Sequence, residues 1–203
     1  IVKFKLSILK NILSFIQFKM INLTFLIISI AVSSAKAACP NIVSRAEWGA
    51  RAPTGSSAMS NPVPYVVIHH GASAACTTKS SCINMVKSYQ NYHMNSNGWA
   101  DIGYSFIVGE DGNVYEGRGW SRVGAHAPGY NSNSIGICVI GDFTSRLPNS
   151  LALNAVKNLI QCGVSLGKIR STYSLRGHRD SSATACPGNT LYTEIRKWSQ
   201  YGL

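Results

Sequence analysis

The sequence predicts a single α/β (α+β) domain with a central mixed β-sheet covered by three main helices. Two observations support this fold class. Residues 65–68 and 135–140 are almost uninterrupted runs of β-branched and aromatic residues, which is typical of strands buried on both faces. Segments with apolar residues three and four positions apart alternate with these strands, as in helices that bury one face.

The first 38 residues are expected to lie outside this domain. Met20 is the first methionine, and the short apolar run at residues 21–32 precedes the mainly small residues 33–38, as in a secretory signal peptide. The run is shorter than the roughly 20 residues of a membrane-spanning helix, which disfavours the alternative of an uncleaved anchor. We therefore expect residues 1–38 to be an upstream extension plus a signal peptide that is removed. Residues 39–203 would then be a secreted, extracellular domain without a membrane span.

The net charge of the sequence indicates which partners it suits, and its cysteines bear on the cellular compartment. Residues 39–203 hold 14 basic and 8 acidic residues, a net charge of +6. This charge suits an anionic partner such as a bacterial envelope, although ordinary solubilising charge explains it equally well. Basic residues are not clustered, so nucleic-acid binding has little support. All six cysteines lie in the secreted part, where disulfides are expected, but six thiols allow many different pairings.

The elements of the amino-terminal half follow in order. Residues 42–60 begin with a short ordered piece around Trp48 and continue as an irregular arm into the strand at 65–68. Residues 81–95 form a helix that ends before Gly98. Its expected buried face consists of Ile83, Val86, Tyr89 and His93. Residues 104–109 and 113–116 are predicted to pair as a hairpin, and a long glycine-punctuated loop, typical of functional segments, runs to residue 131.

The carboxyl-terminal half continues the alternation of strands and helices. After the apolar strand at 135–140, a helix begins near Asn149 and ends at about Leu166, before Gly167. Residues 173–175 form a short strand, and residues 190–198 form the last helix. The apolar face of the helix that follows Asn149 is expected to comprise Leu151, Ala155, Val156, Leu159, Ile160 and Val164.

Three metal-binding side chains lie at or just beyond predicted strand ends. His69, His178 and Cys186 would give two imidazoles and a thiolate, and a zinc ion held by three protein ligands keeps a position open for water. Because side chains alternate along a strand, we expect only one of His69 and His70 to bind the metal. A rival interpretation makes Cys186 a nucleophile with His178 as its base and Asp180 as the orienting carboxylate.

The order and spacing of several motifs resemble those of the short, secreted peptidoglycan recognition proteins. Their fold is similar to that of phage lysozymes that are N-acetylmuramoyl-L-alanine amidases. The resemblance covers essentially residues 39–200. The matching motifs are YVVIHH (65–70), NYHM (91–94), GW (98–99), DIGYSF (101–106), DGNVYEGRGW (111–120), GAH (124–126), GHRD (177–180) and CPG (186–188).

The resemblance implies a catalytic role. His69, His178 and Cys186 would bind Zn²⁺, Tyr104 would be the catalytic tyrosine, and Thr184 would lie near the zinc water. Zinc in such a site lowers the pKa of bound water toward about 7, and that water would hydrolyse the amide between N-acetylmuramic acid and L-alanine. Family members that only bind have most often lost the cysteine. The presence of Cys186 favours an enzyme over the alternative, a non-catalytic recognition protein that triggers immune signalling.

The resemblance also implies a partner and a binding groove. The partner would be bacterial peptidoglycan or its muropeptides, which gives the protein a role in innate immunity. In the family, Gly98-Trp99 together with Arg118 goes with a preference for diaminopimelate peptidoglycan, because a guanidinium can grip the extra carboxylate of that residue with two hydrogen bonds. The groove candidates are His93, Gly98, Trp99, Arg118, His126 and Asn131.

The cysteine pairing follows from the same resemblance. Cys76 is expected to pair with Cys82, and Cys39 with Cys162. Cys186 then stays reduced as a ligand, and Cys138 stays buried and free.

Overall fold

A computed structural model describes Gln17 and residues 39–202 of the chain. The expected extension and signal peptide, residues 1–38, lie outside the described residues apart from Gln17. The strands are β1 (Ile42–Val43), β2 (Val63–His70), β3 (Phe106–Val108), β4 (Val114–Glu116), β5 (Ser134–Val139) and β6 (Ile169–Gly177). The helices are α1 (Arg45–Trp48), α2 (Lys79–Asn95), α3 (Ser150–Ser165) and α4 (Asn189–Ile195), and a 3-10 turn covers His178–Asp180.

The strands form one mixed sheet in the order β1-β4-β3-β5-β2-β6. Among the described strands, β3 and β4 pair antiparallel, and every other neighbouring pair is parallel. This arrangement confirms the predicted fold class. Because β2 and β6 are parallel neighbours, their carboxyl ends meet at the same edge of the sheet. That edge carries the residues of the candidate site.

Each face of the sheet has its own buried layer. On one face, Val66 and Ile68 of β2 pack with the apolar sides of α3 and α4. On the other face, Ile107 of β3 and Tyr115 of β4 pack with Trp48 and with α2. The sheet is therefore covered by helices on both faces, as the sequence predicts.

Several elements differ from the sequence-based expectation. The ordered piece near Trp48 is a strand and a helix, and β1 pairs with β4 at the sheet edge. Strand β6 is longer than residues 173–175, and α4 ends at Ile195, before the expected residue 198. Leu151 is 57% exposed and so lies off the buried face of α3, because that face is centred on Ala152, Val156 and Leu159.

The buried face of α2 shares Val86 and His93 with the predicted face but differs from it at two positions. The side chains that it buries most deeply are Cys82, Val86, Gln90 and His93. Ile83 and Tyr89 are instead partly buried at the edge of this layer. The difference arises because Cys82 is tied down by a disulfide and Gln90 by a buried carboxylate, that of Asp101, which the apolar pattern alone does not reveal.

Two disulfides link four of the six described cysteines. Cys39 bonds to Cys162 and ties the start of the described domain to α3, and Cys76 bonds to Cys82 at the start of α2. These are the pairs that the family resemblance implies. Cys138 and Cys186 are free thiols in this part of the chain.

In the part of the chain that the structure describes, no helix has both the length and the apolar character needed to cross a membrane.

Candidate metal centre and cleft

Three side chains that could hold a metal ion meet where β2 and β6 end. His69 is the penultimate residue of β2, and His178 directly follows β6. Cys186 comes from the loop before α4 and reaches the same point. One ligand atom from each of these residues lies within 4.8 Å of those of the other two. His70 points to the opposite face of β2, where its Nδ1 accepts a hydrogen bond from the backbone N–H of Phe143 at 3.3 Å.

Backbone contacts place the Cys186 loop. The amide of Arg179 donates to the Cys186 carbonyl at 3.0 Å, and the amide of Cys186 donates to Thr184 Oγ1 at 3.2 Å. Gly188 has a φ of +89° and lies so close to Phe143 that an added Cβ would stand 2.4 Å from its carbonyl carbon. A glycine is therefore required where the loop turns into α4.

Burial keeps the two imidazoles neutral. It lowers the pKa of His69 well below its usual 6.5, and repulsion from His126 and His178 lowers it further. Burial also lowers the pKa of His178. It raises the pKa of the Cys186 thiol to about 11, against the opposing effects of the His70 amide, which donates to Sγ at 3.4 Å, and of the nearby Arg179 charge.

The geometry disfavours Cys186 as a nucleophile with a His178–Asp180 pair. Asp180 Oδ1 accepts from Tyr192 at 2.7 Å, while Oδ2 accepts from the Gly177 amide at 2.7 Å and from Tyr201 at 2.8 Å. The carboxylate thus fixes the turn after β6 and does not orient His178. The pKa of the Cys186 thiol stays raised despite the nearby Arg179 charge, which also opposes thiolate attack.

Tyr104 and Thr184 line the same cleft as the three candidate ligands. The Tyr104 ring lies 5.2 Å from that of His69, centre to centre, and 5.5 Å from that of His93. Burial raises the pKa of the Tyr104 hydroxyl well above 10, so this group keeps its proton at neutral pH. The cleft has a volume of about 380 Å³. Its lining comprises His69, His70, Gly71, Ala72, Trp99, Tyr104, Ala125, His126, His178, Thr184, Ala185 and Cys186.

Trp99 and His93 form one wall beside the cleft. Trp99 is 36% exposed, and its ring lies 4.8 Å from the His93 ring. His93 itself is buried, and its Nδ1 accepts a hydrogen bond from the Gly103 amide at 3.0 Å. Gly98 makes the turn after α2 with a φ of +67° and contributes no side chain. Among these three groove candidates, Trp99 is therefore the one whose side chain lines the cleft.

Arg118 is held in place by backbone carbonyls. Nε donates to the Ile102 carbonyl at 2.7 Å, and Nη1 donates to the Val123 carbonyl at 2.8 Å. Nη2 donates to the Asp101 carbonyl at 3.4 Å. A guanidinium has five N–H donors, so two remain for another partner. The side chain is half-buried and pre-oriented, which suits recognition of a carboxylate.

His126 is buried and Asn131 is partly buried, so neither residue forms an exposed wall of the groove. His126 is 6% exposed, and its Nδ1 lies 3.0 Å from His69 Nε2, which places it beneath a candidate ligand. Asn131 Oδ1 accepts the backbone N–H groups of His126 at 2.7 Å and Ala127 at 2.9 Å. In the structure, Asn131 thus shapes the loop that carries His126.

Sequence reasoning did not find several residues that complete the site, among them Ala125 and Ser134. Ala125 lines the cleft without any chemical signature in the sequence. Ser134 is fully buried and contacts His126, with its Oγ 3.3 Å from Nε2. A signal was present for Ser134, because the small residues Ser134, Gly136 and Cys138 alternate along β5 and mark a strand face that another group approaches closely.

Comparison with known proteins agrees with this geometry. Residues 59–189 match the family described as N-acetylmuramoyl-L-alanine amidase. Peptidoglycan-recognition protein SC2 of Drosophila simulans is 49% identical over 160 residues, which are 79% of this chain and 87% of that protein.

Two solved structures share the fold. Wild-type Drosophila PGRP-LB matches with a TM-score of 0.79 and 44% identity, over 79% of this chain and 95% of that chain. Peptidoglycan recognition protein-LE in complex with tracheal cytotoxin, a monomeric diaminopimelic acid-type peptidoglycan, matches with a TM-score of 0.78 and 42% identity over the same shares. The chain therefore belongs to the peptidoglycan recognition proteins, within the N-acetylmuramoyl-L-alanine amidase family.

Proposed function

We propose that the protein is a secreted zinc-dependent N-acetylmuramoyl-L-alanine amidase of innate immunity. It binds bacterial peptidoglycan, with a preference for the diaminopimelate type, and cleaves the amide that joins the lactyl group of N-acetylmuramic acid to L-alanine. The observation that carries the proposal is the convergence of His69, His178 and Cys186 ligand atoms within 4.8 Å in a cleft that Tyr104 also lines.

The donor set fits zinc. Two neutral imidazoles and one thiol are the ligand types that zinc prefers, and three of them leave a coordination position open. The His70 amide donates to Cys186 Sγ at 3.4 Å, a contact that stabilises a thiolate. When bound at such a site, zinc supplies Lewis-acid chemistry that activates water and polarises a carbonyl.

Tyr104 and Thr184 act on the substrate's reacting groups. Tyr104 keeps its proton, so its hydroxyl donates a hydrogen bond to the oxygen of the scissile carbonyl as negative charge develops there. The Thr184 oxygen already accepts from the Cys186 amide, so its hydroxyl proton is free to orient the attacking water. Water adds to the carbonyl carbon and the C–N bond breaks. The products are the lactyl carboxylate and the free amine of L-alanine.

The cleft and its walls fit a glycopeptide. Trp99 offers an aromatic surface to the sugar or the stem peptide. The two remaining N–H donors of Arg118 can grip the carboxylate that diaminopimelate has and lysine lacks. Peptidoglycan recognition protein-LE binds a diaminopimelic acid-type ligand, which supports this preference in a relative of the same fold.

Recognition without hydrolysis is the alternative function. It uses the same cleft, and many proteins of this kind are named for recognition alone. The presence of Cys186 and of a partly buried, protonated Tyr104 favours the amidase, because binding alone requires neither a metal ligand nor a proton donor at this point.

The test is the release of free stem peptide from diaminopimelate-type and lysine-type peptidoglycan. The mature protein should release peptide, lose this activity in a chelator and regain it when zinc is added. Cys186→Ser should abolish release. Leu151→Ala is the control, because Leu151 is 57% exposed and lies outside the cleft lining, so this variant should retain full activity. If wild-type protein binds peptidoglycan without releasing peptide, recognition is the function.

A further inference from the structure

A chain of hydrogen bonds runs beneath the candidate metal ligands. His69 Nε2 lies 3.0 Å from His126 Nδ1, and His126 Nε2 lies 3.3 Å from Ser134 Oγ. Ser134 Oγ in turn lies 2.7 Å from the backbone carbonyl oxygen of Tyr130. His69, His126 and Ser134 are only 1%, 6% and 0% exposed. Because water has so little access to these side chains, each of them must find its hydrogen-bond partners among the neighbouring protein groups.

The final carbonyl fixes the direction of every bond. A carbonyl oxygen can only accept, so Ser134 donates its single hydroxyl proton to Tyr130. Ser134 Oγ must then accept from His126 Nε2, which places the proton of a neutral His126 on that nitrogen. His126 Nδ1 consequently holds a lone pair and accepts from His69 Nε2–H.

The last step determines the tautomer of His69. With its proton on Nε2, His69 has its lone pair on Nδ1, the nitrogen that lies 3.7 Å from Cys186 Sγ. The geometry points to His126 as a positioning residue that, together with Ser134 and the Tyr130 carbonyl, presents the Nδ1 lone pair of His69 to the metal. This inference rests on the proposed function. Hydrogen bonds to the far nitrogen of a ligating histidine orient its ring and increase its basicity.

Two glycines leave room for the His126 ring. A Cβ added at Gly136 of β5 would stand 2.4 Å from His126 Cδ2, and one added at Gly124 would stand 2.5 Å from the same atom. Asn131 fixes the backbone on the loop side through its bonds to the amides of His126 and Ala127. The ring therefore has little freedom to turn away from His69.

Zinc affinity of two His126 variants tests this role. We expect His126→Leu to weaken zinc binding by about 10–100-fold, measured by competition with a chromogenic chelator. His126→Asn places an oxygen near the position of Nδ1, accepts from His69 Nε2–H and should stay within a few-fold of wild type. Equal losses in both variants would indicate only a packing role, and no loss in His126→Leu would exclude positioning altogether.

A second measurement reads the tautomer itself in zinc-free protein. Long-range ¹H–¹⁵N NMR should find the His69 proton on Nε2 in wild type and a mixture of tautomers in Ser134→Ala, which is the more conservative variant should His126→Leu not fold. A proton on Nδ1 in wild type overturns the inference. Wild-type protein without zinc affinity overturns the proposed function and the positioning role with it. Normal zinc binding in wild type and in His126→Leu overturns the positioning role alone.

Discussion

Alternate residues of β2 face two different environments. Val66 and Ile68 lie in an apolar layer between the sheet and helices α3 and α4. His69 lies on the opposite face, where its ring contacts those of Tyr104, His126 and His178. The apolar face stabilises the fold through burial of hydrocarbon, whereas the strand-end part of the opposite face, which we call the polar face, holds groups whose burial costs free energy unless each has a partner.

The comparison indicates that stability and chemistry are separable between these two regions. A change on the apolar face should alter the free energy of unfolding and leave the chemistry of the folded protein intact. A change on the polar face should do the reverse. Four substitutions test this separation, beginning with the largest expected effect.

Tyr104→Phe removes one hydroxyl from the polar face. We expect stem-peptide release to fall by about 10²–10⁴-fold, because the donor to the developing oxyanion is lost. Peptidoglycan binding and the thermal midpoint should stay close to wild type. Turnover measured at saturating substrate, beside a binding assay, checks this expectation. Undiminished turnover would remove Tyr104 from the mechanism.

Leu159→Ala cuts a fully buried side chain from the apolar face. We expect a loss of about 2–5 kcal/mol in the free energy of unfolding, because the truncation leaves a cavity. Release per folded molecule should not change. Leu151→Ala is a matched control in the same helix, and its 57% exposure predicts a loss within about 0.5 kcal/mol. A fall in the specific activity of Leu159→Ala would break the separation of the two faces.

Glu110→Gln tests the hydrogen bonds to a buried carboxylate that lies outside the cleft lining. Glu110 is 5% exposed, accepts from Arg146 Nη1 at 2.9 Å and Nη2 at 2.7 Å, and accepts from the Asn149 amide at 2.8 Å. We expect a loss of about 1.5–3 kcal/mol at neutral pH, because these hydrogen bonds go to a charged group. Urea unfolding measures the loss, and stem-peptide release should persist.

The contribution of the Glu110 carboxylate to the free energy of unfolding depends on pH with a defined sign. Hydrogen bonds from Arg146 lower the pKa of Glu110 below its usual 4.5. The stabilisation by the carboxylate is therefore complete above pH 4.5 and is lost as the pH falls through the lower folded-state pKa. The difference between wild type and Glu110→Gln should shrink in that acid range. A constant difference would show that the charge contributes nothing.

Arg118→Lys should have the smallest effect and the most selective one. Lysine keeps the charge but cannot form two parallel hydrogen bonds to a carboxylate. We expect binding of diaminopimelate muropeptides to weaken about tenfold relative to lysine muropeptides. The ratio between the two ligands corrects for any general change in the cleft. Equal weakening of both would argue against Arg118 as the source of the preference.

Much of the fold follows from local patterns. Strands β2 and β5 are visible in the sequence as continuous apolar runs, the two long helices through apolar residues three and four positions apart, and the hairpin through the turn between its strands. Residues 170–172 of β6 were not predicted as strand, because all three are exposed and polar and so show no alternation of apolar and polar residues. Strand β1 is two residues long and is recognisable only through its pairing with β4.

The site was only partly predictable for a related reason. Strand-end positions and the family motifs identify His69, His178 and Cys186, and the structure brings these three together. The burial of His126 beneath His69 depends on Gly136 and Ser134 of β5, where the alternating small residues indicate a close approach but not which group makes it. Contacts between segments that are distant in sequence fix such details, and one sequence does not contain them.

The most direct test of the central claim is a crystal structure of the zinc-loaded protein with anomalous diffraction measured at the zinc edge. The account predicts one zinc peak within the described domain, among His69 Nδ1, His178 and Cys186 Sγ, with His69 Nε2 still bonded to His126. A peak elsewhere, or none at these residues, would contradict the assignment of the polar face as a metal centre.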